Sequence, residues 1–230
     1  MIKRLAIIPA RGGSKRIKNK NLKLFYGKPL IYYSIKALKD SNIFSKIHIS
    51  SDSSKILNYS NKFKIKTDFK RPSYLADDKT GLNEVLKYVV SKYQSLNKNY
   101  DEVWLIFPNN PFITKKTIID CSKAYKKISH KKNNGLMTVT KYNYPVNWAQ
   151  KLSSKNHLLP LDRFNLKTRS QDFNKIFCEA GMINVYNYKI FSSKMETKYF
   201  PFELPLYSSV DIDDIEDLKF AKILFKNKVM

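Results

Sequence analysis

Near the N-terminus a short apolar run gives way at once to a loop crowded with positive charge, and few folds accommodate both. Leu5, Ala6, Ile7 and Ile8 are continuous and apolar, the pattern of a parallel strand buried on both faces. Pro9 ends the run. Gly12 and Gly13 permit a tight turn and a close approach of backbone to a ligand. Arg11, Lys15, Arg16, Lys18, Lys20 and Lys23 then crowd one segment, where like charges repel unless something anionic lies among them. Backbone N–H groups with convergent cations are what a polyphosphate requires. The glycine spacing matches neither a Walker phosphate loop nor a dinucleotide-binding turn. A solvated basic loop is the plainer reading, but the strand before it and Lys20-Asn21 after it favour a triphosphate cradle.

Downstream, apolar runs alternate with segments of helical spacing. Residues 29–38 read as a helix with Pro29 in its first turn. Residues 46–50 read as a strand, and Ser51-Asp52-Ser53 as a cap for a helix to about residue 63. A third short strand is expected from Ile65, then a polar connection over 68–79 and a helix over 80–93. Residues 101–107 form another buried strand, ended by Pro108-Asn109-Asn110-Pro111, and Thr114 caps a helix to about residue 128. Residues 135–141 make a fifth strand. This rhythm predicts an α/β fold, a parallel sheet with helices on both faces. Ligands in such sheets lie beyond the carboxyl ends of the strands, where the Arg11 loop, the Asp52 turn and the Pro108 turn would gather.

The rhythm breaks over residues 142–171, where aromatic and polar residues mix without periodicity, as expected of a lid or an oligomer contact. A strand over 182–185 follows Glu179-Ala180-Gly181. Near the C-terminus, Val210 and Ile212 alternate with Asp211 and Asp213, so an extended backbone points both carboxylates to one face. Two oxygen donors there, with open positions, suit a magnesium ion shared with substrate phosphates. Alternatively, the acids complement the positive end of a last helix beginning near Ile215. That accounts for Asp214, Glu216 and Asp217, and for Asp213 as an N-cap, but not for Asp211, which precedes the helix.

A chain of 230 residues with 43% hydrophobic content can build one substantial α/β domain, and residues 1–230 are read as one. Cys121 and Cys178 form no disulfide framework and suit a reducing compartment, while His48, His130 and His157 show no metal-ligand spacing. No signal peptide or membrane-spanning stretch is visible, so a soluble, cytoplasmic protein is expected. The net charge of +24 raises a rival, a basic nucleic-acid-binding α/β module. Lysine is spread through every segment with abundant Asn, Ile and Tyr, residues of A/T-rich codons, so base composition suffices to explain the charge. No specific nucleic-acid partner is expected, only salt-sensitive polyanion binding.

Ile8-Pro9-Ala10-Arg11-Gly12-Gly13-Ser14-Lys15, with Lys20-Asn21, resembles the nucleotide-binding loop of the acylneuraminate cytidylyltransferases, or CMP-sialic acid synthetases. Ser51-Asp52, Arg71-Pro72, Leu75-Ala76-Asp77, the strand ending at Pro108 and Asp211-Ile212-Asp213 follow in that family's order. Within it, Asn165, the run Thr168-Arg169-Ser170-Gln171-Asp172 and Phe107 are most similar to the pseudaminic acid cytidylyltransferases. The resemblance implies a Rossmann-like, mostly parallel sheet of nucleotidyltransferase type, with a dimerisation or lid extension over 142–175. It implies that CTP and a nine-carbon sugar acid give the CMP-sugar and pyrophosphate, in a homodimer. Arg11, Gly12, Gly13, Ser14, Lys15, Lys20, Asn21 and Arg71 would bind the nucleotide, with Arg11, Lys15 and Lys20 stabilising the departing pyrophosphate. Thr80, Phe107, Arg169 and Gln171 would face the sugar, and Asp211 and Asp213 would hold Mg2+. Lys18 and Arg16 depart from the proline and glycine common in relatives. Phe107 stands in place of a glutamine, which disfavours N-acetylneuraminate. A 3-deoxy-manno-octulosonate cytidylyltransferase is the nearest enzymatic rival, and its usual loop differs from this one.

Overall fold

In the computed structural model, which describes residues 2–161, 168–193 and 195–227, the N-terminal apolar run forms β1 (Arg4–Pro9). After the basic loop come the minimal hairpin β2 (Leu24–Phe25) and β3 (Lys28–Pro29), then α1 (Leu30–Ser41), β4 (Lys46–Ser50) and α2 (Ser54–Asn61). The chain continues through α3 (Leu82–Ser95), β5 (Glu102–Ile106), α4 (Lys115–Ile128) and β6 (Asn134–Lys141). A second small hairpin, β7 (Gln150–Leu152) and β8 (Leu158–Pro160), precedes β9 (Phe177–Asn187), β10 (Lys198–Glu203) and α5 (Ile215–Lys226).

Six strands make one sheet in the order β10-β6-β9-β5-β1-β4. β1 pairs in parallel with both β4 and β5, which puts its carboxyl end at the point where the strand order turns back on itself. Because successive strand residues face opposite ways, Ala6 and Ile8 enter one core with Leu30, Ile35, Ile118 and Leu218. Leu5 and Ile7 enter the other, with Leu86, Val89, Val90 and Tyr93 of α3. The continuous apolar run is thus explained by helices on both sides. Thr114 caps α4 as expected, its hydroxyl accepting from the Thr117 N–H at 3.1 Å.

Several expectations are corrected. Ile65 starts no strand. Lys64 adopts a left-handed conformation (φ 57°) after α2, and Ile65 packs into the core from a loop, its N–H donating to Ser60 O at 3.4 Å. The helix expected from residue 80 begins at Leu82, because the Thr80 N–H is held by Asp77 Oδ1 at 2.7 Å in the preceding turn. Ser53 precedes α2 without a side-chain capping bond. The strand expected over 182–185 is eleven residues long, includes Glu179-Ala180-Gly181, and lies antiparallel between β5 and β6. The sheet is therefore mixed, though still mostly parallel. β10, not anticipated from the sequence, pairs with β6 alone among the described residues, and its Pro201 is tolerated on that edge. The stretch read as aperiodic carries the hairpin β7–β8; Asn165 lies outside the described residues.

Candidate active site

The carboxyl ends of β1 and β5 open onto one cavity of about 320 Å³, and Arg71, held at the end of β4, stands in its wall. The loop after β1 is pinned to the turn after β4, where Asp52 Oδ1 accepts from the Gly12 N–H at 2.8 Å. Arg71 is drawn to the end of β4: Nη2 donates to Ser50 O at 2.8 Å and Nε to Ser50 Oγ at 3.1 Å. Burial lowers its pKa to about 10, partly countered by the charge of Asp52. Asn21 is buried in the wall. Its amide donates to Arg11 O at 3.0 Å, and its Oδ1 has no partner among the described residues.

Four of the six crowded cations pair with two carboxylates from elsewhere in the chain. Asp78 pairs with Arg11 at 2.8 Å and also with Lys15. Asp213 pairs with Arg16 at 2.5 Å and with Lys20 at 2.7 Å. Hydrogen bonds from Lys15, then Arg11, hold the Asp78 carboxyl below the ordinary carboxylate range. At Asp213 burial acts upward, but Lys20 and Arg16 together outweigh it and lower the pKa. The Arg16 pKa is raised by its hydrogen bond to Asp213. Opposite charges separated by nearly the whole chain therefore meet in one place.

Asp211 and Asp213 converge on a residue the sequence reading did not single out. Asn109, in the turn after β5, donates to Asp211 Oδ1 and lies 3.5 Å from Asp213 Oδ1. Its carbonyl accepts from the Ile212 N–H at 3.1 Å. Val210 and Ile212 are buried, so the alternation turns Asp211 and Asp213 toward the cavity. Burial, then the charge of Asp213, raises the Asp211 pKa to about 6. The capping role falls to Asp214, which forms a reciprocal capping box with Asp217 and leaves Asp213 available for the site.

Arg11, Ser14, Lys15, Lys20, Asn21, Arg71, Thr80, Phe107, Asp211 and Asp213 all line the cavity. Gly12 and Gly13, in the same loop, do not line it; the Gly12 N–H is taken by Asp52. Arg169 and Gln171 do not line it; both are exposed, and Gln171 borders a second cavity with Tyr142–Asn147 and Phe173–Ile176. Arg16, Asp78 and Asn109 are the site residues that motif reading left unassigned. Only position signalled Asn109, which directly follows the end of a buried strand.

A family model described as Cytidylyltransferase matches residues 5–229. The pseudaminic acid cytidylyltransferase of Campylobacter jejuni subsp. jejuni serotype O:2 is 36% identical over 228 residues, covering 98% of this chain and 97% of that protein. An N-acylneuraminate cytidylyltransferase of Escherichia coli is 30% identical over 233 residues, covering 97% of this chain and 52% of that protein. Among solved structures, a CMP:2-keto-3-deoxy-manno-octonic acid synthetase complexed with CTP superposes with a TM-score of 0.68 at 15% identity, covering 98% of this chain and 99% of the other. At that identity the likeness concerns the fold.

Proposed function

The chain belongs to the cytidylyltransferase family, CTP-dependent nucleotidyltransferases, and from that premise we propose that its acceptor is a nonulosonic acid, pseudaminic acid before others. The products are then the CMP-sugar and pyrophosphate. One observation carries the chemistry: the loop cations and the C-terminal carboxylates face the same cavity at the end of β1. The choice of acceptor rests on the identity with the Campylobacter protein, which spans both chains almost end to end.

Arg11, Lys15, Arg16 and Lys20 bind the triphosphate by exchanging their carboxylate partners for phosphate oxygens. Their charge then stabilises the negative charge that grows on departing pyrophosphate. Arg71, anchored on β4, and the unpartnered Oδ1 of Asn21 orient the nucleotide. Thr80 and Phe107 line the part of the cavity assigned to the sugar acid. Transfers of this kind need positioning and charge stabilisation more than covalent help, and no protein nucleophile is assigned.

Asp211 and Asp213 suit Mg2+, a hard cation that prefers oxygen ligands and keeps several positions for phosphate and water. Among the described residues no cluster of three His, Cys, Asp or Glu side chains is placed to hold a metal, so Asp211 and Asp213 are assigned as a pair. Their placement supports the assignment, because both line the cavity and share Asn109 as a neighbour. When bound, the ion supplies positive charge to the phosphates and lowers the pKa of a hydroxyl it coordinates.

A homodimer through residues 142–175 fits the apolar side chains displayed there, with Tyr144 82%, Leu152 65% and Leu158 68% exposed. Arg169 and Gln171 lie on this extension, and in a dimer they serve the neighbouring cavity. A cytoplasmic setting, where CTP is made, fits the free thiols of Cys121 and Cys178. No helix among the described residues is long and apolar enough to cross a membrane.

The test is pyrophosphate release from CTP and Mg2+ with pseudaminic, legionaminic, N-acetylneuraminic and 3-deoxy-manno-octulosonic acids. The expected result is the highest kcat/KM with pseudaminic acid. Preference for another acid overturns the acceptor, and no release with any of them overturns the reaction.

A further inference from the structure

We propose that Gly181 and Asn109 are positioning residues that seat the carboxylate of Asp211 between them, Gly181 by withholding a side chain and Asn109 by donating to it. The inference rests on Asp211 being a magnesium ligand, and its test separates the two ideas. The seat begins in the sheet. On β6, Met137 pairs with Asn184 and Val139 with Glu179, so two steps along β6 are matched by five along β9, and β9 bulges. Thr138 stitches the bulge, its hydroxyl donating to Ile183 O at 3.0 Å and accepting from the Ile183 N–H at 2.9 Å. Within the bulge Gly181 has φ +56°, a conformation that costs side-chain-bearing residues strain.

The bulge carries the α-carbon of Gly181 against Asp211. A Cβ on residue 181 would lie 2.7 Å from Asp211 Oδ2, 2.8 Å from its Cγ and 3.0 Å from its Cβ. The Asp211 side chain fills the space that any other residue at 181 would need. Asn109 holds the opposite oxygen, Oδ1, and is itself fixed by the bond from the Ile212 N–H to its carbonyl. One oxygen thus has a donor and the other a wall, and the carboxylate is kept at the cavity in a single orientation. Partners that orient metal ligands in this way typically change metal affinity or activity by about 10–100-fold when removed.

The variants are Gly181→Ala, Gly181→Asn and Asn109→Ala, each read by Mn2+ binding in the presence of CTP, followed by electron paramagnetic resonance. All three are expected to raise the half-saturating Mn2+ concentration about 10–100-fold, while in the two Gly181 variants CTP affinity without metal changes little. Gly181→Asn tolerates positive φ but still carries a Cβ. If it binds Mn2+ like the wild type, backbone conformation alone matters and the seat is overturned. Thermal melting supplies a readout independent of the metal. Gly181→Ala should lower Tm more in the wild-type background than in Asp211→Ala, where most of the overlap is relieved. Equal losses in both backgrounds overturn the seat. If that coupling is found but Asp211→Ala binds Mn2+ normally, the seat stands and the assignment of Asp211 to the metal falls.

Discussion

Between pH 7 and pH 5 the folded chain should lose about 2 kcal/mol of stability through His48 alone. His48 is fully buried on β4, with Nδ1 3.0 Å from the Tyr93 hydroxyl, Nε2 without a partner and the Phe69 ring centre 4.6 Å away. Burial first, and the charge of Lys46 second, lower its pKa to about 3, against the opposing charge of Asp68. In the unfolded chain the same imidazole takes up its proton near 6.5. Above that pH neither state binds the proton. Below it the unfolded state does and the folded state does not, until about pH 3. Stability is therefore complete above pH 6.5 and falls by about 1.4 kcal/mol for each further unit of acidification. Integrated from pH 7 to pH 5, this gives the 2 kcal/mol, set against a total of about 5–15 kcal/mol for a typical domain. The comparison is His48→Phe, an aromatic side chain that cannot titrate. Urea unfolding at pH 7, 6 and 5 should show the wild type losing about 2 kcal/mol more than the variant across the range. Parallel pH profiles for the two proteins would refute the calculation.

Three other outcomes are expected. Asp211→Ala should abolish turnover at saturating Mg2+ with an unchanged circular dichroism spectrum, and wild-type rates would remove it from the metal site. Lys20→Ala should lower kcat about 100- to 1,000-fold, as loss of a donor to developing charge does; a change confined to KM would show instead that Lys20 acts only in binding. Thr114→Ala removes the cap of α4 and should cost about 1 kcal/mol in urea unfolding, and a loss below a few tenths would show that its bond to Thr117 contributes nothing.

Much of the fold and the site could be read along the chain. The run at Leu5–Ile8 announced burial on both faces, and helices stand on both faces. Thr114 announced a cap, and the structure has one. The clustered loop cations and the alternating Asp211 and Asp213 marked the two halves of the cavity. Pro201 and the exposed aromatic residues around it hid β10, because an edge strand satisfies fewer constraints than an inner one. Glu179 and Gly181 hid the first half of β9, whose pairing depends on neighbours far away in the sequence.

Periodicity, capping and turn chemistry act over a few residues, so the amino-acid order alone determined the helices, the inner parallel strands and the kinds of charge the site would carry. Which carboxylate would answer which cation was decided only by the folded topology. Asp78 meets Arg11 and Lys15, and Asp213 meets Arg16 and Lys20. The reversed β9, its bulge at Gly181 and the reach of Asn109 to Asp211 belong to the same class. Each joins segments distant along the chain, and such contacts come from burying both faces of one twisted sheet, a condition that no short stretch of sequence contains.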